Sequence, residues 1–384
     1  MVSQQLLNWI ELSRSAFSTN LAALTKMAGG RMIAVSVKAN AYGHGLPEIV
    51  SILSKKKNIE YLAIHSIDEA LVARESGWKK KIMILGPVAH DNLPAIFILN
   101  LEPVLFSAET LEALGKLSNK LKRHVLTHVK LETGTNRLGI TDKELPAFAA
   151  LYKKYPYLKK PYGASTHFAN IEDTTSHEYA QYQLDNFERM VKSMTRLGIE
   201  PTIRHTASSA ALILFEKTRF DLVRPGISAY GHWPSKETYL SYKLEGGSGD
   251  TFKPTLSWKT RIGQIKNVPT DSFVGYGCTY RTTAPTKLAV LPIGYYDGYP
   301  RELSNHAYVL IKGKRAPVRG RVCMNLLMVD VTEIAGVKLF DEVTLIGVDK
   351  KERITAETLA GLAGTINYEL LARLSSQTPR IIVD

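Results

Sequence analysis

Cysteine is nearly absent from the chain: Cys278 and Cys323 are the only two in 384 residues. Two thiols make neither a disulfide scaffold nor a four-sulfur zinc site, and no metal site is expected. There is no run of 18 apolar residues, and Glu11 and Arg14 interrupt the apolar stretch near the N-terminus. Neither a membrane span nor a cleaved leader is therefore expected, and the simplest compartment is the cytoplasm. Glycine and proline are modest at 27 and 17, which excludes a collagen-like or wholly disordered chain. Acidic residues are the minority charge, 36 against 49 Lys and Arg, for a net charge of +13. The basic excess is spread along the chain. Its densest runs, at 55–57, 79–81 and 153–154, read as solvated helix ends and turns, so no nucleic-acid module is indicated. Small anionic ligands are an equally good use of such a balance. What remains is an ordinary globular composition, 45% hydrophobic and 22% charged, long enough for one large domain or two ordinary ones.

From residue 30 to about 230, short apolar runs alternate with longer segments of helical period. Eight strands are predicted, at 32–37, 61–65, 82–85, 103–107, 125–131, 163–168, 202–206 and 221–225. Helices are predicted between them, for example over 47–56 and 177–196. Eight such units match a (β/α)₈ barrel, although a doubly wound sheet alternates in the same way. Lys38, His167, Ser208 and Arg224 fall at or just past strand ends, which favours the barrel, where chemistry collects at that edge. After the polar stretch at 244–254 the pattern becomes strand-like, at 256–268, 287–293, 307–311, 316–331 and 342–348, with a helix at about 355–374. The expected organisation is a barrel over 13–240 and a mostly β domain over 241–384.

The segment 32–45, MIAVSVKANAYGHG, is the most informative. Lys38 closes an apolar strand, where a charged amine is costly unless it is paired or used covalently. Two readings stand: a lysine that snorkels to the rim, or a desolvated nucleophile that forms a Schiff base. Arg224, followed by Pro-Gly, offers a fixed guanidinium beside backbone that a ligand can approach closely. The hydroxyls of HTASSA (205–210) either cap a helix or receive a phosphate. Arg137 is a surface-loop arginine or a carboxylate anchor, His167 a structural histidine or a catalytic one. Tyr276, between two glycines, is a surface aromatic or a ring projecting into a cavity.

In combination these segments resemble the bacterial alanine racemases, a two-domain, pyridoxal-phosphate-dependent (fold-type III) family. VKANAYGHG is joined, in the family's order, by TNRLG, HFAN, VRPGI, VGYG, IGYYDGYPR, GRVCM and INYE, so the resemblance spans essentially the whole chain. It implies a barrel followed by a mostly β domain that residues 1–12 join. Lys38 would hold pyridoxal 5'-phosphate as a Schiff base and then act as one acid/base group. Tyr276 would be the other, reaching the opposite face of the substrate carbon from a partner subunit, so a homodimer is implied.

The resemblance also implies that Arg224 faces the pyridine nitrogen and that His167 links Arg224 to Tyr276, with His205 in support. Tyr42, Ser209, Tyr368 and the backbone at Gly226 and Ile227 would hold the phosphate. Arg137 and the partner's Met324 would receive the substrate carboxylate, with Lys130 as a carbamylated lysine positioning the arginine. Asp173, Tyr295, Arg301 and Arg321 would line the entrance. D-alanine for peptidoglycan is the implied product. Four positions depart from the family's usual residues: Glu132, Thr135, Ser208 and Asn325. A racemase of serine or of a broader amino-acid set shares every catalytic residue, and a non-catalytic carrier of the same cofactor is a further alternative.

Overall fold

The computed structural model describes residues 6–158 and 160–384, which form two compact units. The first unit comprises residues 16–41 and 49–253. Its eight strands are all parallel: Met32–Ser36, Tyr61–Ile64, Lys81–Ile84, Glu102–Leu105, His128–Lys130, Gly163–Ser165, Ile203–His205 and Leu222–Val223. Each pairs with the next in sequence as far as Ile203–His205, and Leu222–Val223 returns to pair with Met32–Ser36. Across the remaining seam the Asp221 N–H donates to the Arg204 carbonyl at 3.1 Å and the Arg224 N–H to that of Ala207 at 2.9 Å. The result is a nearly closed barrel of the (β/α)₈ kind.

The strands form where the sequence offers short β-branched and apolar runs, and the helices where one face is apolar at period 3.6. The Ser107 hydroxyl caps Ala108–Leu121 by accepting from the Thr110 N–H at 3.2 Å. That helix buries Leu111, Leu114, Gly115 and Ser118 and stops where Lys122 turns left-handed. Helix Glu178–Arg196 buries Leu184, Phe187, Met190 and Met194, each worth roughly 1.5–3 kcal/mol when removed from water. Inside the barrel, Ala34, Tyr61, Ala63, Met83, Val104, Ile203 and Leu222 form the core. Among the described residues of these strands, Glu102, His128 and His205 are buried polar groups.

The second unit comprises the described residues through Ser15, residues 42–48 and 254–384. Asn8–Ser13 pairs antiparallel with Leu256–Arg261 and parallel with Arg380–Val383, so the N-terminal segment is a strand of this unit. Residues 1–5 of the expected join lie outside the described residues. Leu256, Trp258 and Thr260 alternate inward, and the Trp258 indole donates to Asn8 Oδ1 at 2.8 Å.

The run 256–268 divides at Ile262-Gly263 into strands of two different sheets, Leu256–Arg261 and Gln264–Val268. The run 316–331 is likewise not one strand. Its ends fall in Lys314–Pro317 and Leu327–Asp330, while Gly320 (φ +76°) and a turn closed by the Cys323 N–H on the Leu326 carbonyl bend the chain between them. The expected helix at 355–374 is two, Ala356–Leu362 and Asn367–Ala372, because Gly364 turns left-handed at φ +70°.

Candidate active site

Lys38 follows the first barrel strand and opens an unusual backbone segment. Ala39, Asn40, Ala41 and Tyr42 all have φ between 53° and 55°, a left-handed turn made without glycine. Each such residue costs about 1–2 kcal/mol, so tertiary bonds must hold the turn. Glu69 supplies the main one. One carboxylate oxygen accepts from the Ala39 N–H at 2.6 Å, and the other accepts from the His65 N–H at 2.6 Å. The turn therefore aims Lys38 while a buttress in the next βα unit absorbs the strain. The Lys38 amine is half-buried, and burial, followed by the nearby Arg137, holds its pKa below the ordinary lysine value.

Arg224, just past Leu222–Val223, is the best-determined group. Its NH1 donates to His205 Nδ1 at 2.5 Å and to the His205 carbonyl at 2.6 Å. Its NH2 donates to the carbonyls of Thr166 at 2.9 Å and Thr206 at 3.3 Å. A guanidinium has five N–H groups, so one, Nε–H, has no partner among the described residues. Burial lowers the Arg224 pKa to about 10, which leaves it charged at neutral pH. Its histidine partner is His205. Among the described residues it makes no hydrogen bond to His167, which was expected to link it to Tyr276. His167 lies in the same cluster, and burial, then Arg224 and Lys130, hold its imidazole neutral.

Lys130 ends His128–Lys130, and burial, then Arg224 and Arg137, pull its pKa down to about 8. Arg137 sits on the loop that follows. Burial would raise the Glu132 pKa, but the backbone N–H groups of residues 134–137 more than offset it, and the Gly134 N–H donates to its Oε1 at 2.6 Å. Glu132 thus shapes the loop that presents Arg137. A buried amide, Gln183, ties that loop to the end of the next strand. It donates to Thr135 Oγ1 at 3.2 Å and to the His167 carbonyl at 3.2 Å, and accepts from the Ala169 N–H at 2.8 Å. Thr135 itself donates to the His167 carbonyl at 2.5 Å.

Ser209 Oγ accepts from the N–H groups of Gly226 at 2.9 Å and Ser228 at 3.4 Å, which gathers Ser209, Gly226 and Ile227. The Ser228 hydroxyl beside them is buried without a partner among the described residues. Asp173 lies exposed on the loop before Glu178–Arg196, with no described bond to this cluster.

The remaining expected residues belong to the second unit. Tyr42 and Tyr368 have ring centroids 6.1 Å apart. Gly43 permits this close approach, since a Cβ there would lie 1.8 Å from the Leu371 carbonyl oxygen. Tyr276 projects from a turn between Gly275 and Gly277, both at φ +73°, and is 73% exposed. A Cβ at Gly277 would come within 2.8 Å of the Arg321 guanidinium, so the glycine makes room for that arginine. The turn carrying Tyr295 rests on the Met324 segment, with the Tyr295 N–H donating to the Cys323 carbonyl at 3.1 Å and the Tyr296 N–H to that of Met324 at 3.0 Å. Arg301 is near enough to influence the Cys323 thiol. Ser304 Oγ, three residues later, accepts from the Val322 N–H at 3.0 Å and so ties the 301–304 turn to this rim.

Glu69, Glu102, His128 and Gln183 carry no motif that sequence reasoning could have picked out. A Glu three residues after Ser66 does signal a capping box, but not the reach of its carboxylate to Ala39.

The chain matches two family models, alanine racemase N-terminal domain over residues 12–234 and alanine racemase C-terminal domain over residues 255–382. It is 38% identical over 380 residues to an alanine racemase of Leptospira interrogans, covering 98% of this chain and 96% of that one. It is 37% identical over 373 residues to an alanine racemase of Halothermothrix orenii, covering 97% and 96%. Among solved structures it superposes on an alanine racemase of Clostridium difficile with a TM-score of 0.90 at 30% identity, covering 99% and 97%. The alanine racemase of Bacillus anthracis with bound L-Ala-P gives 0.91 at 31% identity, covering 100% and 96%.

Proposed function

The chain belongs to the alanine racemase family and interconverts L- and D-alanine; on that premise we propose that it works with pyridoxal 5'-phosphate on Lys38, with two proton-handling groups, and as a homodimer. When bound, the cofactor supplies the electron withdrawal that makes the α-proton of alanine removable. The donor set fits this group. The one guanidinium donor left on Arg224 suits a ring nitrogen, which offers a single lone pair. Ser209, with the Gly226 and Ile227 backbone, and the unpaired Ser228 hydroxyl suit a phosphate. The observation that carries the reading is a desolvated lysine on a strained, buttressed turn in the same cluster as a guanidinium whose other four donors are committed.

Lys38 moves the proton on one face of the alanine carbon, and Tyr276 of the partner subunit moves it on the other, with Met324 of the partner subunit beside the substrate carboxylate. What supports the second copy is the exposure of Tyr276, Met324 and Tyr295 on one rim of the strand-rich unit. A rim of exposed apolar and aromatic groups marks an association surface. Arg137 binds the substrate carboxylate. Lys130, with its pKa near 8, has a reactive fraction of neutral amine; its addition to carbon dioxide, forming an N–C bond and releasing one proton to solvent, gives a carbamate that places a negative charge among the surrounding cations. Asp173, Tyr295, Arg301 and Arg321 line the way in. No helix among the described residues is long and apolar enough to cross a membrane, which supports a cytoplasmic site, and peptidoglycan is the destination of the D-alanine.

The test is borohydride reduction of the protein loaded with pyridoxal phosphate, followed by peptide mass spectrometry and chiral chromatography of alanine. A label on Lys38 together with loss of racemisation is expected. Racemisation with no label on Lys38 would overturn the assignment.

A further inference from the structure

Glu102 and His128 are the first residues of their strands, at the N-terminal end of the barrel, whereas His205 ends its strand and Arg224 follows its own. Four side chains nevertheless form one continuous relay through the interior. Arg224 NH1 meets His205 Nδ1 at 2.5 Å, His205 Nε2 meets His128 Nδ1 at 2.9 Å, and His128 Nε2 meets Glu102 Oε2 at 3.0 Å. Both imidazoles are fully buried. The barrel makes space for the relay at a definite point, since a Cβ on Gly163 would lie 2.0 Å from His128 Nδ1. A hydrophobic barrel has no structural need of such a chain, because well-packed apolar residues of similar volume often serve stability as well or better.

The chemistry of the two ends fixes the direction of every bond. A guanidinium only donates, so His205 Nδ1 must accept and its proton must sit on Nε2. That N–H can be paired only if His128 Nδ1 also accepts, which puts the His128 proton on Nε2, facing a carboxylate that only accepts. The opposite tautomer of either ring would set two N–H groups against each other. We propose that Glu102 and His128 are positioning residues of the racemase: through His205 they hold a single tautomer chain and so fix how Arg224 presents its one remaining donor, Nε–H. The inference rests on the reading above that this donor meets the cofactor ring. Burial and then Arg224 keep His205 neutral, while burial outweighs the pull of Glu102 on His128. The other groups facing the relay are Tyr162, edge-on to His128, Lys81 over the rings of Tyr61 and Tyr162, and Lys130 near His205.

The test uses ¹⁵N-histidine-labelled full-length protein before and after pyridoxal phosphate is added. NMR should find His128 and His205 neutral, protonated on Nε2, and not titrating between about pH 6 and 9. The variants are Glu102→Gln, which keeps shape and removes the acceptor-only end, and the double change Glu102→Leu with His128→Leu, which removes the relay. Glu102→Gln should give His128 a mixture of tautomers, the double variant should shift the His205 Nε2 resonance by removing its acceptor, and each should lower kcat about tenfold, with KM for alanine and bound cofactor within about twofold of wild type. Unchanged histidine resonances in the variants, or changed resonances with wild-type kcat, would overturn the proposal. If the double variant does not fold, Glu102→Gln alone decides. The histidine resonances are read without cofactor, so a missing label on Lys38 and unchanged histidine resonances report separate failures.

Discussion

In the barrel unit, Arg224 commits four of five N–H groups to neighbours, and His128 and His205 are sealed from water. In the strand-rich unit, Tyr276 is 73% exposed on a turn held by two left-handed glycines, beside Met324 at 54%. The first arrangement is complete within its own fold: each polar group is aimed by a partner, and what is left unpaired suits a ligand. The second leaves large side chains exposed, and the proposed second copy would cover them. Burial thus marks the polar groups of the first arrangement, and exposure marks those of the second.

The comparison breaks most sharply at Lys38. Lys38→Ala should lower racemisation by more than about a thousandfold and abolish the borohydride-fixed label, measured by chiral chromatography and mass spectrometry. Tyr276→Phe should cost about a hundredfold or more, yet leave the fold and cofactor content unchanged because the side chain is exposed. Exchange of the α-proton with deuterated solvent should then fail from one enantiomer far more than from the other, and equal loss from both would contradict a division of labour between two groups.

Smaller effects sharpen the picture. Gln183→Leu leaves the Ala169 N–H without its acceptor and frees the Arg137 loop. It should raise KM for alanine about tenfold in steady-state kinetics. Lys130 gives a pH signature. Its folded pKa of about 8 lies below the unfolded value of about 10.4, so the unfolded chain binds the extra proton between those limits. In carbon-dioxide-free buffer, stability should rise with pH across that window relative to a Lys130→Met variant, as denaturant titration would show. Asn325→Asp alters an exposed position and should change kcat/KM for alanine by no more than about threefold.

Much of the barrel was legible because its strands are short apolar runs: the expected strand at 82–85 meets an observed Lys81–Ile84, and 163–168 begins where Gly163–Ser165 does. Lys38 and Arg224 stood out because charged residues at the ends of such runs are costly. The relay did not. Glu102 and His128 read as ordinary strand starts, and their partners lie 26 and 77 residues away, a pairing that period and propensity do not encode. The left-handed turn was equally hidden, since Ala-Asn-Ala-Tyr has no glycine to announce it and is held by Glu69 from another βα unit. In the strand-rich unit, single glycines at 320 and 364 divided what looked like continuous elements.

The most direct test of a site shared between two copies is complementation. Lys38→Ala and Tyr276→Phe chains, each nearly inactive and carrying different tags, are mixed and allowed to exchange subunits. Random reassociation makes about half of the dimers mixed, each with one intact site of two, so about a quarter of wild-type racemisation should return. Mixed dimers isolated by their two tags that remain as inactive as either parent would contradict the account.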